Sequence, residues 1–151
     1  MPSKERLILD SFLPYRLSVL TNRVSAAIAL HYSKRFGLSI PEWRVMAVLG
    51  ETPGLSARQV AERTAMDKVQ VSRAVQSLLA AKRLTRDADK DDGRVGRLSL
   101  SERGLAIYRE VAPLALQLER EFLSVLNGKE KAAFEATLGK LSLSVGGLRK
   151  A

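Results

Sequence analysis

The sequence predicts a mainly α-helical fold carrying one small β-hairpin, with long helices at both ends, and three observations predict it. Apolar residues recur at spacings of three and four along most of the chain, the repeat of a helix that buries one face. Helix-start signals head these stretches, most clearly Ser56-Ala57-Arg58-Gln59 and Asp67-Lys68-Val69-Gln70, where a short polar side chain precedes Gln by three residues. Only between Leu84 and Leu100 does the helical period give way, to two short stretches around a polar turn.

Residues 1–10 form a short lead-in with apolar Leu7, Ile8 and Leu9. Ser11 is the N-cap candidate of a first helix, and Pro14 is tolerated because it falls in the first turn. Leu17, Leu20, Val24, Ile28 and His31 make one stripe, and Gly37 ends the helix. Such a helix, about 24 residues and about 36 Å long, has to lie against something else for most of its length. Ile40-Pro41-Glu42-Trp43 opens the second helix, with Pro at the first helical position and Glu facing the positive end of the dipole. It runs through Val45, Met46, Val48 and Leu49 and stops before Thr52-Pro53-Gly54. Ser56 to Gln59 reads as a capping box on a short third helix, and Asp67 to Gln70 as a similar start for a helix running to about Lys82.

Leu84, the stretch Asp87 to Gly93, and Leu98-Ser99-Leu100 read as two strands around a polar loop, with Asp92-Gly93 as the turn signal. Ser101-Glu102 caps a long helix containing Leu105, Tyr108, Val111, Ala115, Leu118, Phe122 and Leu126, which Pro113 should kink. Asn127-Gly128 breaks it. A last helix carries Phe134, Leu138, Leu141, Val145 and Leu148 at alternating spacings of four and three, a heptad-like seam of the kind helices use to associate.

Composition limits what this fold can do. A chain of 151 residues, 46% hydrophobic, is one domain's worth and can hide roughly 70% of its unfolded surface. Twenty-five Lys and Arg against 16 Asp and Glu give a net charge of +9, which points to a polyanionic partner. The absence of Cys excludes disulfides, thiol redox sensing, iron–sulfur clusters and Cys-type zinc sites, and a single His excludes a His-rich metal site. No cofactor is expected. No apolar run approaches the roughly 20 residues of a membrane span, and residues 1–10 lack a signal peptide's apolar core, so a soluble, cytoplasmic protein is expected. Residues 1–40 carry +4, 41–52 carry −1, 53–101 carry +4 and 102–151 carry +2. The charge is interleaved with apolar periodicity, so folded surfaces rather than a tail carry it.

On the helix from Asp67, a step of 100° per residue places Ala74, Val75, Leu78 and Lys82 within about 60° of Val71. That is a core face, from which Lys82 can snorkel outward. The opposite face holds Val69, Gln70, Ser72, Arg73, Gln76 and Ser77, with no acid. Gln can pair with adenine and Arg with guanine, and Val can touch a thymine methyl. Lys68 near the helix start and the amides at Ser56 and Asp67 suit phosphates. Arg86, Lys90, Arg94 and Arg97 cluster on the hairpin, and a narrow minor groove attracts an Arg side chain. Two short capped helices joined by a tight turn and followed by such a hairpin make a winged helix-turn-helix.

Asp92-Gly93-Arg94 followed by Leu98-Ser99-Leu100-Ser101-Glu102-Arg103-Gly104 resembles the wing signature of MarR-type transcriptional regulators. Pro41 to Val45, Leu55-Ser56, Val60-Ala61 and Asp67 to Arg73 also match that family's pattern, so the resemblance covers nearly the whole chain. It implies a homodimer whose N- and C-terminal helices interlock while two winged lobes bind a pseudo-palindromic operator. It implies that Arg94 enters the minor groove with Asp92 holding it in place. It also implies a small, often aromatic acid as effector, bound between the dimerisation helices and the DNA lobe. Tyr15, Arg16, His31, Trp43 and Arg44 are the candidates to line that crevice, with Arg16 or Arg44 receiving a carboxylate. Two departures stand out: Arg83 where many members have Gly, and Ser101 in place of the usual Thr.

The expected organisation is one MarR-type domain. A dimerisation helix region occupies 1–40, a winged helix-turn-helix DNA-binding lobe 41–101, and C-terminal dimerisation helices 102–151. Leu17, Phe134, Leu138, Leu141 and Val145 are the candidate dimer contacts. The DNA candidates are Ser56, Lys68, Val69, Gln70, Ser72, Arg73, Gln76, Arg86, Arg94 and Arg97. Asp87, Asp89 and Asp91 suggest a calcium loop, but the glycine falls seventh and the twelfth position is Leu98, so acids tethering the wing's own arginines are the better account. Trp43 and His31 each have a plain structural reading, as core and as a satisfied polar residue. No nucleophile–base pair or Gly-rich phosphate loop points to an enzyme. The sequence therefore predicts a dimeric, sequence-specific DNA-binding regulator, a repressor relieved by a small ligand. A nonspecific architectural DNA-binding protein is the alternative, and an amphipathic helical protein at anionic membranes fits the Asp67 helix's amide- and hydroxyl-rich face poorly.

Overall fold

Helix-start chemistry sets the element order. The computed structural model describes residues 5–148. A 3-10 turn at Leu9–Ser11 precedes α1 (Leu13–Phe36), α2 (Ile40–Glu51), α3 (Ala57–Thr64), α4 (Lys68–Ala80), the strands β1 (Leu84–Ala88) and β2 (Gly96–Leu100), α5 (Glu102–Leu123) and α6 (Gly128–Leu148). This is the mainly helical winged architecture that the sequence predicts.

The caps explain the boundaries. Ser39 and Glu42 form a full capping box on α2, with the Glu42 amide donating to Ser39 Oγ at 3.2 Å and the Ser39 amide donating to Glu42 Oε1 at 3.1 Å. Ser56 and Gln59 do the same for α3. At α4 only half a box forms: the Gln70 amide donates to Asp67 Oδ1 at 2.8 Å. Asn127, expected only as a break, caps α6 reciprocally with Glu130. The Ser11 expectation is corrected: Phe12 occupies the N-cap of α1 without a side-chain bond, and the Ser11 hydroxyl donates to the carbonyl of Ile8. Pro14 does lie in the first turn, and Gly37 closes α1 in the left-handed region at φ 63°.

Two helix ends also differ from expectation. α5 stops at Leu123 rather than reaching Leu126. α4 stops at Ala80, and Lys82, expected inside it, adopts φ 57°. The Lys82 amide donates to Leu79 O and the Arg83 amide to Leu78 O, which is a Schellman ending. The left-handed position is thus Lys82, so Arg83 needs no glycine-like freedom.

The chain divides into two units after Leu114. In the first, α2, α3 and α4 pack around a core of Val45, Met46, Leu49, Val60, Val71, Val75 and Leu78, closed by Leu84 and Leu98 of the hairpin and by Ile107 and Val111 of α5. α1 joins it through Tyr32, with Ile28, Ala29 and Phe36 partly buried beside it. The stripe read along α1 holds at Val24 and Ile28, which are partly buried, but fails at its end: Tyr32 is buried and His31 is exposed. Leu17 and Leu20 face outward as well. β1 and β2 pair antiparallel with Leu84 opposite Leu100 and Ala88 opposite Gly96. Leu55 adds an isolated bridge to Leu98. The second unit comprises the end of α5 and all of α6, and no residue of α6 is buried. Among the described residues, no helix is long and apolar enough to cross a membrane.

Candidate nucleic-acid interface

The α4 partition follows its amphipathic period. Val71, Ala74, Val75 and Leu78 are buried, while Lys68, Val69, Gln70, Ser72, Arg73, Gln76 and Ser77 are exposed. Val69 is an apolar side chain left 58% exposed among polar neighbours. The helix is seated from below by α2 and α3. One acid reaches this surface from outside it: Glu42 Oε2 accepts a hydrogen bond from the Ser77 hydroxyl at 3.1 Å. Glu42 thus caps α2 with one oxygen and holds α4 with the other.

Ser56 serves first as the cap of α3. Its side chain and that of Gln59 satisfy each other's amides.

The wing is built by its own acids. Asp92 Oδ1 accepts from the Arg94 amide at 3.0 Å, and the Val95 amide donates to Asp92 O. Asp89 accepts from the Asp91 amide and pairs with Arg97 at 2.8 Å. These two donors, the Asp91 amide foremost and the Arg97 guanidinium next, hold the Asp89 carboxyl below its ordinary value of 3.8. Arg97 also donates to the carbonyl of Gly54 at 3.1 Å, so it ties the hairpin to the turn after α2. Its guanidinium is occupied within the lobe. Arg94 and Arg86 make no side-chain hydrogen bond or ion pair among the described residues.

Arg83 pins three elements. Its guanidinium donates to the carbonyl of Phe36 at 2.6 Å, at the end of α1. Its own carbonyl accepts from the Ser101 amide, and Gly104 of α5 lies against that carbonyl so closely that a Cβ would collide with it. Arg83 Nε is buried without a partner among the described residues. Ser101 caps α5 in the usual way, its Oγ accepting from the Gly104 amide at 3.0 Å while its hydroxyl donates to Lys82 O.

The five crevice candidates are not gathered at one place. Tyr15 and Arg16 line an open groove of about 400 Å³ on the first turns of α1, together with Leu13, Leu20 and Arg23. Trp43 is half-buried in an aromatic column, 5.7 Å from Tyr32 and 5.9 Å from Tyr108 between ring centroids. Arg44 donates to Ser25 Oγ at 3.3 Å, roughly 15 Å along α1 from Tyr15. Burial raises the Tyr32 phenol above its ordinary value of 10.0, opposed by the Arg44 charge. His31 stands in solvent.

The dimer candidates stay uncovered in the single chain. Leu17 is 40% exposed, and Phe134, Leu138, Leu141 and Val145 range from 42% to 50%.

Sequence reasoning missed Tyr32, Glu42 as a tether of α4, and Arg83 as a pin. The signals for two of them were the spacing Ser39-x-x-Glu42, which is itself a capping-box pattern, and the departure at Arg83; Tyr32 had none.

Residues 36–95 match the family model described as the MarR family. The chain is 27% identical over 131 residues to an HTH-type transcriptional repressor of Mycobacterium tuberculosis, covering 86% of this chain and 91% of that protein. It is similar to the crystal structure of a probable transcriptional regulator from Pseudomonas aeruginosa, at 30% identity and a TM-score of 0.74, over 89% of this chain and 99% of the other. A MarR/EmrR family transcriptional regulator from Acinetobacter sp. ADP1 superposes with a TM-score of 0.83 at 25% identity, over 93% and 99%.

Proposed function

The chain belongs to the MarR family of winged helix-turn-helix transcriptional regulators, and from that premise we propose that it is a homodimeric repressor of a pseudo-palindromic DNA operator. The observation that carries this reading is the partition of α4, whose exposed face offers amides, hydroxyls, one methyl-bearing Val69 and Arg73 and carries no acid of its own. These groups match the donor and acceptor code of the major groove. Arg73 and Gln70 are the base readers, and Lys68 is a phosphate contact at the helix start. Arg94, free on the wing tip, enters the adjacent minor groove.

A single lobe reads too few base pairs to find one site in a genome. Two lobes related by a two-fold axis set their recognition helices about 34–36 Å apart, one turn of duplex. The uncovered seam of Phe134, Leu138, Leu141 and Val145 supports a second copy as its partner, and Leu17 offers apolar surface on α1. Repression is the role carried over from the mycobacterial relative's name.

The effector site is the α1 groove. Tyr15 supplies an aromatic face beside Leu13, Leu17 and Leu20, and the two cations Arg16 and Arg23 outnumber the one acid of the lining, Asp10, which favours an aromatic carboxylic acid. Such a ligand would relieve repression by favouring a lobe spacing that mismatches consecutive major grooves, a population shift.

The test is selection of genomic fragments by the purified protein, followed by competition with unrelated duplex. Retention of a recurrent site at 10³-fold or greater preference is the expected result. Uniform affinity for all duplexes would instead make this an architectural DNA-coating protein.

A further inference from the structure

Arg58 of α3, Arg86 of β1 and Arg94 of the wing tip line one open cleft of about 350 Å³, with Ser56, Ala57 and Gly96. Three guanidinium groups around one hollow repel each other, and among the described residues only the exposed Glu62 pairs with any of them. Arg86 and Arg94 have no side-chain partner among the described residues. Arg58 reaches Glu62 one turn along its own helix at 3.3 Å, a solvent-exposed pair that exchanges easily. The wing acids Asp89 and Asp92 are occupied by Arg97 and by the Arg94 amide.

The hairpin register explains how Arg86 arrives there. Leu84, Arg86, Gly96 and Leu98 share one face, because residues two apart and residues directly paired do so. Leu84 and Leu98 are buried, so Arg86 stands where that face runs past the core. Asp87 and Arg97 occupy the opposite face. Gly96 has no side chain, and a Cβ there would come within 2.9–3.0 Å of Arg86 Cγ, Cδ and Nε. The glycine lets Arg86 lie flat across the strand pair.

Arg58 also lines a second hollow, of about 200 Å³, shared with Lys68 and Ser72 at the start of α4. The wing cleft is therefore continuous, through Arg58, with the surface assigned to the major groove. We propose that Arg58 and Arg86 clamp one phosphodiester of the DNA strand passing from α4 to the wing, leaving Arg94 for the groove. This rests on the nucleic-acid reading above. A planar guanidinium pair matches the paired oxygens of a phosphate, and a backbone site carries no sequence preference. The continuity with α4 favours a phosphate within a polymer over free phosphate.

The experiment replaces phosphates of a bound duplex one at a time by neutral methylphosphonates, using full-length wild-type, Arg58→Ala, Arg86→Ala and Gly96→Ala proteins of verified fold. One replacement should weaken wild-type binding about tenfold and the three variants far less, because the charge it removes no longer has its partner. Gly96→Ala keeps every charge and only displaces Arg86, so it separates placement from net charge. Arg86→Lys should restore part of the wild-type response. If no replacement loses its effect in the Arg58→Ala and Arg86→Ala proteins, the clamp is wrong while the DNA reading stands. If wild type binds no duplex, both fall. Inorganic phosphate, at constant ionic strength, should compete equally poorly with wild type and Arg86→Ala. Selective competition with wild type would assign the cleft to a free anion and overturn the proposal.

Discussion

The hydroxyl of Ser77 donates to Glu42 at 3.1 Å, joining the outward face of α4 to the first turn of α2 across 35 positions of sequence. Glu42 holds the Ser39 amide with its other oxygen. Ser77→Ala removes the tether alone, whereas Glu42→Ala removes the tether and the Glu42 half of the capping box, leaving the amide of residue 42 on Ser39 Oγ. Urea unfolding should show Glu42→Ala costing about 0.5–1 kcal/mol more than Ser77→Ala. Equal costs would mean that the bond from the Ser39 amide to Glu42 contributes nothing here.

Arg73→Ala should weaken operator binding by about 1–3 kcal/mol and relax preference at one base position. The check is binding to operators carrying each base at each position. An equal loss on every sequence would make Arg73 a phosphate contact. Arg94→Ala should weaken binding at moderate salt with the fold unchanged, and unaltered affinity would remove Arg94 from the minor groove.

Gly104→Ala should destabilise the protein by about 1–3 kcal/mol or prevent folding, because the added Cβ meets the Arg83 carbonyl, which is backbone and held by Ser101. Gly128→Ala is the control: a Cβ there meets nothing within 4 Å. Thermal unfolding of the two variants should separate them, and equal stability would show that α5 shifts freely.

The Asp89 carboxyl is held below its ordinary 3.8 by the Asp91 amide and Arg97, so its contribution to stability is present above that value. It is lost as pH falls below 3.8 and through the lowered folded-state value. Asp89→Asn should flatten the loss of wing order on acidification, read from amide signals of residues 89–97 by NMR. An unchanged profile would place the acid sensitivity elsewhere.

Leu141→Glu combined with Val145→Glu should convert the protein to monomers in sedimentation velocity and abolish tight operator binding. Both side chains are exposed in the single chain, so the monomer should stay folded. Dimers persisting in the double variant would move the interface off α6.

The sequence was legible where the interaction is local. The division of α4 into a buried and an exposed face follows from a period of 3.6, and the caps at Ser56 and Asp67 join residues three apart. Lys82 was misplaced because a Schellman ending without glycine leaves no compositional mark. His31 and Tyr32 are adjacent, and Tyr32 is the one that turns inward because Trp43 of α2, far along the chain, packs against its ring at 5.7 Å. The wing acids tether a wing arginine as the sequence expects, Asp89 holding Arg97, but nothing in the sequence marks Gly54 O as that arginine's second partner.

Helix inventory, hairpin, charge excess and the chemistry displayed by α4 were encoded in stretches of a few residues, because backbone capping and side-chain periodicity act over one or two turns. The pairing of arginines across the fold was not. Arg83 with Phe36 and Arg97 with Gly54 join groups dozens of positions apart, and Arg58 and Arg86 converge on one cleft from separate elements. Only the packing of hairpin against helices brings such groups within hydrogen-bonding reach, and that packing divides the structural cations from those left free for a ligand.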